Sequence, residues 1–139
     1  MNEAERARRT ADELEIRNVI AKLAIHADDG QVDAVAALMA EDIRWENRSA
    51  PDTPPIVGRA AFLAFANQAQ AMVGPGSHAY HTVPTTVVNL DGDRATAKSY
   101  LLHVRDADKT PGVAMRIYND AFVRTADGWK LSVRYIDPV

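Results

Sequence analysis

The sequence predicts an α+β fold in which helices come first, antiparallel strands follow, and the helices cover one face of the sheet. Three features carry that expectation. Apolar residues in the first third recur at helical spacing, the second half alternates at strand spacing, and Asp91-Gly92 and Asp127-Gly128 supply turn chemistry between strand candidates.

Leu14, Val19, Ile20, Leu23 and Ala27 make one apolar stripe on a helix running from about Glu3 to Ala27. Asp28-Asp29-Gly30 stops it, with Gly30 as a left-handed terminator. A short second helix carries Val35, Leu38 and Met39, and Glu41-Asp42 ends it. Ile43 to Glu46 is then a short strand bearing Trp45. Residues 47–55, NRSAPDTPP, are too few to divide the chain and read as a surface loop within one domain spanning 1–139. A third helix, Arg59 to about Met72, places Phe62, Phe65 and Ala69 on one face, and Gly74-Pro75-Gly76 terminates it. The strand candidates are Ala79 to Leu90, Arg94 to Arg105, Val113 to Arg124 and Trp129 to Ile136.

Hairpin register follows from matching apolar rows across a half-buried sheet. A three-residue loop, 126–128, with Gly128 left-handed pairs Val123 with Leu131, Ala121 with Val133 and Asn119 with Tyr135. The same loop in the first hairpin pairs Val87 with Ala95, Val83 with Ser99 and His81 with Leu101, with Pro84 a place where a bulge would shift this pairing.

Composition narrows the function. The 139 residues suffice for one domain with its own core. A net charge of −3 leaves no footprint for nucleic acid, and Arg6, Arg8 and Arg9 alternate with acidic residues as a solvated helix face. The absence of cysteine removes disulfides, thiolate nucleophiles and Cys-based metal sites. No apolar run approaches the roughly 20 residues of a membrane span. The N-terminal MNEAERARRTADELE has no apolar signal core, so a cytoplasmic location is expected.

Among the titratable residues, His78 and His81 form H-x-x-H, but on an extended segment these rings point to opposite faces, so no metal site is expected. His26 and His103 read as surface residues. No G-x-S-x-G, phosphate loop or dinucleotide fingerprint occurs, and no cofactor is expected. Asp28 is either a helix-end turn residue or the polar tip of a pocket wall; His81 is either a structural histidine or a base. An Asp–His pair in an apolar pocket suits proton abstraction, because the carboxylate orients the ring and raises its basicity. Asn119 interrupts the otherwise apolar row Val113, Met115, Ile117, Ala121, Val123, and a buried amide there needs a partner, which a ligand, a neighbouring backbone group or Tyr135 would supply.

Four segments, ELEIRNVIAKLAIHADDGQVDAVAALMAEDIRWE, PIVGRAAFLAF, the histidine segment ending in NLDGDRATA, and RIYNDAFVRTADGWKLSVRYID, follow one another in an order that resembles the SnoaL-like branch of the nuclear transport factor 2-like superfamily. The resemblance implies a conical barrel, a curved antiparallel sheet wrapped around the N-terminal helices with one central pocket. It also implies an Asp–His dyad at Asp28 and His81, as in scytalone dehydratase and bile-acid 7α-dehydratase. Asn119, eight residues before Asp127, matches a pocket Asn of scytalone dehydratase. One position departs from the dehydratases: Leu23 stands where they carry a substrate-polarising Tyr, and Tyr80, Tyr100, Tyr118 and Tyr135 are the available substitutes. The function so implied is a cofactor-independent lyase or isomerase, dehydratase-like, acting on an apolar cyclic small molecule. Trp45, Phe62, Phe65, Leu23, Leu101, Met115 and Ile117 would supply the wall, and a homodimer or trimer would be built on the sheet. The alternatives are a hydrolase or polyketide-cyclase-like enzyme, or a non-catalytic binding or assembly protein in which Asp28 and His81 lie apart.

Overall fold

Three helices pack on one face of a six-stranded sheet in a computed structural model that describes residues 1–73, 78–106 and 112–139. The helices are α1 (Glu3–Asp28), α2 (Val32–Ala37) and α3 (Arg59–Ala71); the strands are β1 (Met39–Asn47), β2 (Ile56–Val57), β3 (His78–Asp91), β4 (Arg94–Asp106), β5 (Gly112–Thr125) and β6 (Gly128–Asp137). Strand order is β2-β1-β6-β5-β4-β3, antiparallel throughout except where β1 runs parallel to β6. The sheet curves around the helices without closing, so the expected cone is present but as an open half-barrel, with β3 and β2 as its edges.

Local chemistry explains the helix limits. Asn2 and Glu5 form a reciprocal capping box that starts α1, and Gly30, at φ +71°, reverses the chain after it. The core stripe of α1 is Ile16, Val19, Ile20 and Leu23, all nearly inaccessible; Leu14, expected in that stripe, is exposed, and Ile16 takes its place. The second helix is shorter than expected. It ends at Ala37, and Met39 opens β1 because its side chain packs into the core beside Leu131 of the paired strand. The Gly74-Pro75-Gly76 terminator lies outside the described residues.

Both hairpins turn more tightly than apolar matching alone predicts. In the last, Thr125 pairs with Gly128 across a two-residue turn, so Val123 faces Lys130 rather than Leu131. A bulge between Ala121 and Phe122 then restores Ala121 opposite Val133 and Asn119 opposite Tyr135. In the first hairpin Asp91 pairs with Arg94, Val87 with Lys98 and Thr86 with Ser99. A bulge between Thr82 and Thr85, at Pro84, leaves His81 opposite His103, not Leu101.

The N-terminal half of α1 is tied to the last hairpin by a compact polar network. Arg124 donates Nη1 and Nη2 to the two Asp12 oxygens at 2.7 Å, and the buried Trp129 indole donates to Asp12 at 3.1 Å. Arg124 also stacks on the Trp129 ring, 4.6 Å from its centroid, and bonds Asp93. The hydrogen bond from Arg124 holds the Asp12 carboxyl below its ordinary value. That contribution to stability is therefore complete above the unfolded-chain value of about 3.9 and is lost as pH falls through the lower folded value. Asp12→Ala, which strands the Trp129 N–H, is expected to lose about 2 kcal/mol in urea unfolding at neutral pH, with the gap from wild type shrinking below about pH 4.

Candidate active site

Along α1, Arg17, Ala21, Ala24 and Asp28 are spaced by four, three and four residues, a stripe beside the core stripe. This flank lies against β3, and its two alanines let the edge strand approach. Because β3 pairs with β4 on one side only, half of its backbone groups point away from the sheet. Arg17 Nη1 satisfies the Thr86 carbonyl at 3.0 Å. The last residue of α1, Asp28, accepts the His81 backbone N–H with both oxygens, at 3.1 and 3.0 Å. The same carboxylate meets the ring: Asp28 Oδ1 lies 2.6 Å from His81 Nδ1. The two residues predicted to pair are thus in direct contact, with Asp28 mostly buried and His81 about one-third exposed (33%). Asp28 thus contacts both the His81 amide and its ring, so the backbone contact helps to fix the carboxylate's orientation toward Nδ1. With Nδ1–H committed to Asp28, Nε2 is the ring's free acceptor, and it has no protein partner among the described residues.

His81 lines a cavity of about 130 Å³ whose other walls include Leu23, Trp45, Phe62, Phe65 and Met39. Trp45, Phe62 and Phe65 pack as a tilted cluster with ring centroids 5.4 to 6.3 Å apart. Four of the eight predicted substrate-contact residues, Leu23, Trp45, Phe62 and Phe65, therefore sit with His81. Leu101 is buried alongside, packed on Tyr118 and Ile136, without lining the cavity.

The other three predicted substrate-contact residues do not reach this cavity. Asn119, Met115 and Ile117 lie on the outer face of the sheet. Met115 is exposed, Ile117 pairs with Tyr100 on that face, and Asn119 donates to Asp137 at 2.6 Å and lines a separate outer groove with Lys98 and Tyr135. The alternate row of β5 faces inward: Tyr118, Asp120 and Phe122 are all buried. Asp120, on the strand face opposite Asn119, is wholly enclosed and takes two 2.8 Å bonds from Arg134. Arg134 stacks on the Tyr118 ring, 3.7 Å from its centroid, and Arg134 and Tyr118 both line the cavity. Burial alone would draw the Arg134 pKa down, but the charge and hydrogen bonds of Asp120 raise it, so the guanidinium stays charged. Burial raises the Tyr118 phenol, with the charges of Asp120 and Asp28 acting in the same sense against Arg134.

His103 is also more than a surface residue. Its ring lies 4.5 Å from that of His81, centroid to centroid, and half-burial followed by the neighbouring His81 lowers its pKa. The sequence carried one signal for this pairing, the bulge position at Pro84, which moves His81 by two residues along β4. Among the described residues no group of three or more His, Asp or Glu side chains is arranged to hold a metal ion. Nor, among the described residues, is any helix long and apolar enough to cross a membrane.

A family model described as a SnoaL-like domain matches residues 8–135. Among solved structures, the chain is similar to an NTF2-like protein with a cystatin-like fold from Novosphingobium aromaticivorans, at 28% identity and a TM-score of 0.85, covering 96% of this chain and 85% of that one. It is also similar to a protein from the same organism provisionally assigned as an aromatic ring hydroxylase, at 23% identity and a TM-score of 0.82, covering 94% and 90%. A third similar structure is ActVI-ORFA from Streptomyces coelicolor, at 24% identity and a TM-score of 0.76, covering 89% and 94%. No curated protein matches the sequence.

The pKa directions give a direct check on this geometry. In ¹H NMR titration the His103 ring is expected to protonate below 6.5, the usual histidine value. By linkage, native stability then falls as pH drops below that unfolded value, because the unfolded chain binds the proton more readily. His103→Gln should reduce that loss.

Proposed function

The chain belongs to the SnoaL-like domain family, and from that premise we propose that it is a cofactor-independent lyase or isomerase of the dehydratase type. It moves a proton with His81, oriented by Asp28, on an apolar small molecule containing a ring. One observation carries the reading: the 2.6 Å contact between Asp28 Oδ1 and His81 Nδ1 at the wall of a cavity whose lining includes Leu23, Trp45, Phe62 and Phe65.

The chemistry follows from that placement. Asp28 holds the Nδ1–H tautomer, so Nε2 carries the lone pair that removes a proton. The imidazolium formed is then stabilised by the adjacent carboxylate. Apolar walls exclude water, which strengthens that electrostatic effect and protects a carbanionic or enolic intermediate. Leu23 adds to the apolar wall where related dehydratases carry a phenol, so the group that polarises the substrate has to come from elsewhere in the cavity. The outer sheet face, with Tyr80, Tyr100, Val87 and Val113 exposed, supports a homo-oligomer formed through the sheet.

Deuterium uptake tests the reading with simple compounds, whatever the natural substrate is. A panel of ring ketones incubated with the protein in D₂O is expected to include compounds whose exchange next to the carbonyl is accelerated. His81→Gln should lower that rate by about 10² or more, the usual share of a general base. Asp28→Asn keeps an acceptor for the His81 amide but presents an NH₂ group to Nδ1, and should also slow exchange. Exchange that persists at the wild-type rate in both variants would remove His81 and Asp28 from the mechanism. No acceleration with any compound would favour a non-catalytic binding protein.

A further inference from the structure

Resting on the His81 proton-transfer reading, we propose that Arg134 and Tyr118 form an oxyanion subsite at the inner end of the cavity, and that the substrate is a single ring bearing a phenolic or enolisable carbonyl oxygen held there. Three observations lead to it.

The first concerns unmet donors. Arg134 uses Nε and Nη2 on Asp120, while Nη1 has no acceptor among the described residues. The Tyr118 hydroxyl likewise has no partner among them. Both side chains are more than nine-tenths buried, with Arg134 at 8% and Tyr118 at 5% exposure. Yet neither leaves a sealed, unpaired polar atom. Both unpaired groups therefore open onto space, and the space that both residues line is the cavity containing His81.

The second is the sign of the subsite. Both Asp120 oxygens are taken by Arg134, so this end of the cavity offers a charged donor and a phenol. The bidentate clamp fixes the guanidinium, and its stacking on the Tyr118 ring fixes the phenol's plane. Donors held in place in a water-poor site are what a developing oxyanion requires. The charged or titratable groups around it are Asp28, His81 and His103 on one side and the Asp120–Arg134 pair on the other.

The third is size. A cavity of about 130 Å³ compares with the roughly 150 Å³ that holds one benzene molecule in a protein core. One six-membered ring fills it, and any larger part of the substrate lies beyond the rim at Ala27 and Phe65.

The reaction is then balanced. The C–H bond next to the ring carbonyl breaks, its proton goes to His81 Nε2, and its electron pair forms a C=C bond while the carbonyl pair moves onto oxygen at Arg134 and Tyr118. When the carbonyl reforms, the pair returns to carbon. In isomerisation His81 delivers the proton to another ring carbon. In dehydration the pair expels a hydroxyl group one carbon further on, and His81 protonates it to water.

The test uses 4-nitrophenol, whose ionised form absorbs at longer wavelength than the neutral one, with 4-nitrobenzoate as the carboxylate control. The wild-type protein is expected to bind the phenolate in preference to the phenol, so that the bound probe ionises at lower pH than the free probe. Tyr118→Phe should weaken phenolate binding about ten- to hundredfold, as expected for a bond to a charged group. Asp120→Asn combined with Arg134→Gln avoids an orphaned buried charge; with folding checked by circular dichroism, it should abolish the preference for the ionised form. His81→Gln should retain that preference, so the subsite is tested apart from the base. The proposal is overturned by equal affinity for phenol and phenolate, by tighter binding of 4-nitrobenzoate, by no binding at millimolar concentration, by indifference to the Tyr118 and Arg134 changes, or by loss of the preference in His81→Gln alone.

Discussion

The structure turns on how α1 closes the free edge of β3. An edge strand presents unpaired backbone groups, and here a helix flank supplies their partners: Arg17 at the Thr86 carbonyl and Asp28 at the His81 amide. The two alanines between them, Ala21 and Ala24, set the distance. Because Asp28 is the last residue of α1, the helix end is fixed at the point where the strand begins to line the cavity. The Asp28–His81 ring contact is thus built on a backbone contact that the fold needs in any case. Asp12, four to five turns before Asp28 and about 24 Å from it by helical rise, anchors the helix to Arg124 and Trp129. Held at both points, the helix keeps its register along β3, and the carboxylate keeps its place against the ring.

The polar end of the cavity follows a different logic. Burying Asp120 and Arg134 is costly, and a well-packed apolar pair of similar volume is often no less stable. Their bidentate geometry and the stacking on Tyr118 offset that cost without an evident gain in packing. A charged pair in the wall of a cavity that already contains a histidine–carboxylate contact is more readily understood as chemistry than as structural support. The two polar groups sit apart, the Asp28–His81 contact on the edge strand and the Arg134–Tyr118 pair on the central strands, and the cavity they share is also lined by Trp45, Phe62 and Phe65.

The helices, the strand succession and the Asp28–His81 pairing were legible because each leaves a local or family-level trace: apolar spacing on α1, Asp-Gly turns, and a carboxylate just past the stripe. The inner face of β5 was not. Its outward row, Met115, Ile117, Ala121 and Val123, is as apolar as a core row, because that face of the sheet is itself largely apolar. Alternation in one strand therefore favoured the wrong face and carried Asn119 with it. The inward row holds Tyr118 and Asp120, buried against Ile136 and Arg134 of β6. Phe122 was the available corrective, since this large, wholly apolar side chain shares the core with Ile16, Trp129 and Leu131. Register errors had a second source. Both hairpins combine a two-residue turn with a bulge farther along the ladder, so a single loop length could be right for one part of a hairpin and wrong for another.

The bulge at Pro84 has a consequence for function. It lets His81 and Val83 face inward on one side of the irregularity while Thr86, Val88 and Leu90 face inward on the other, so β3 bends over α1 without exposing its core row. Between the bend and the helix lies a groove of about 310 Å³ lined by Arg17, Ala21, Ile25 and Pro84. His81 and Ala24 line both this groove and the inner cavity. The ring of His81 therefore borders two spaces, and Ala24, small enough to line both, stands at their junction. The same close approach of α1 to β3 that satisfies the sheet edge thus leaves the imidazole accessible from both sides.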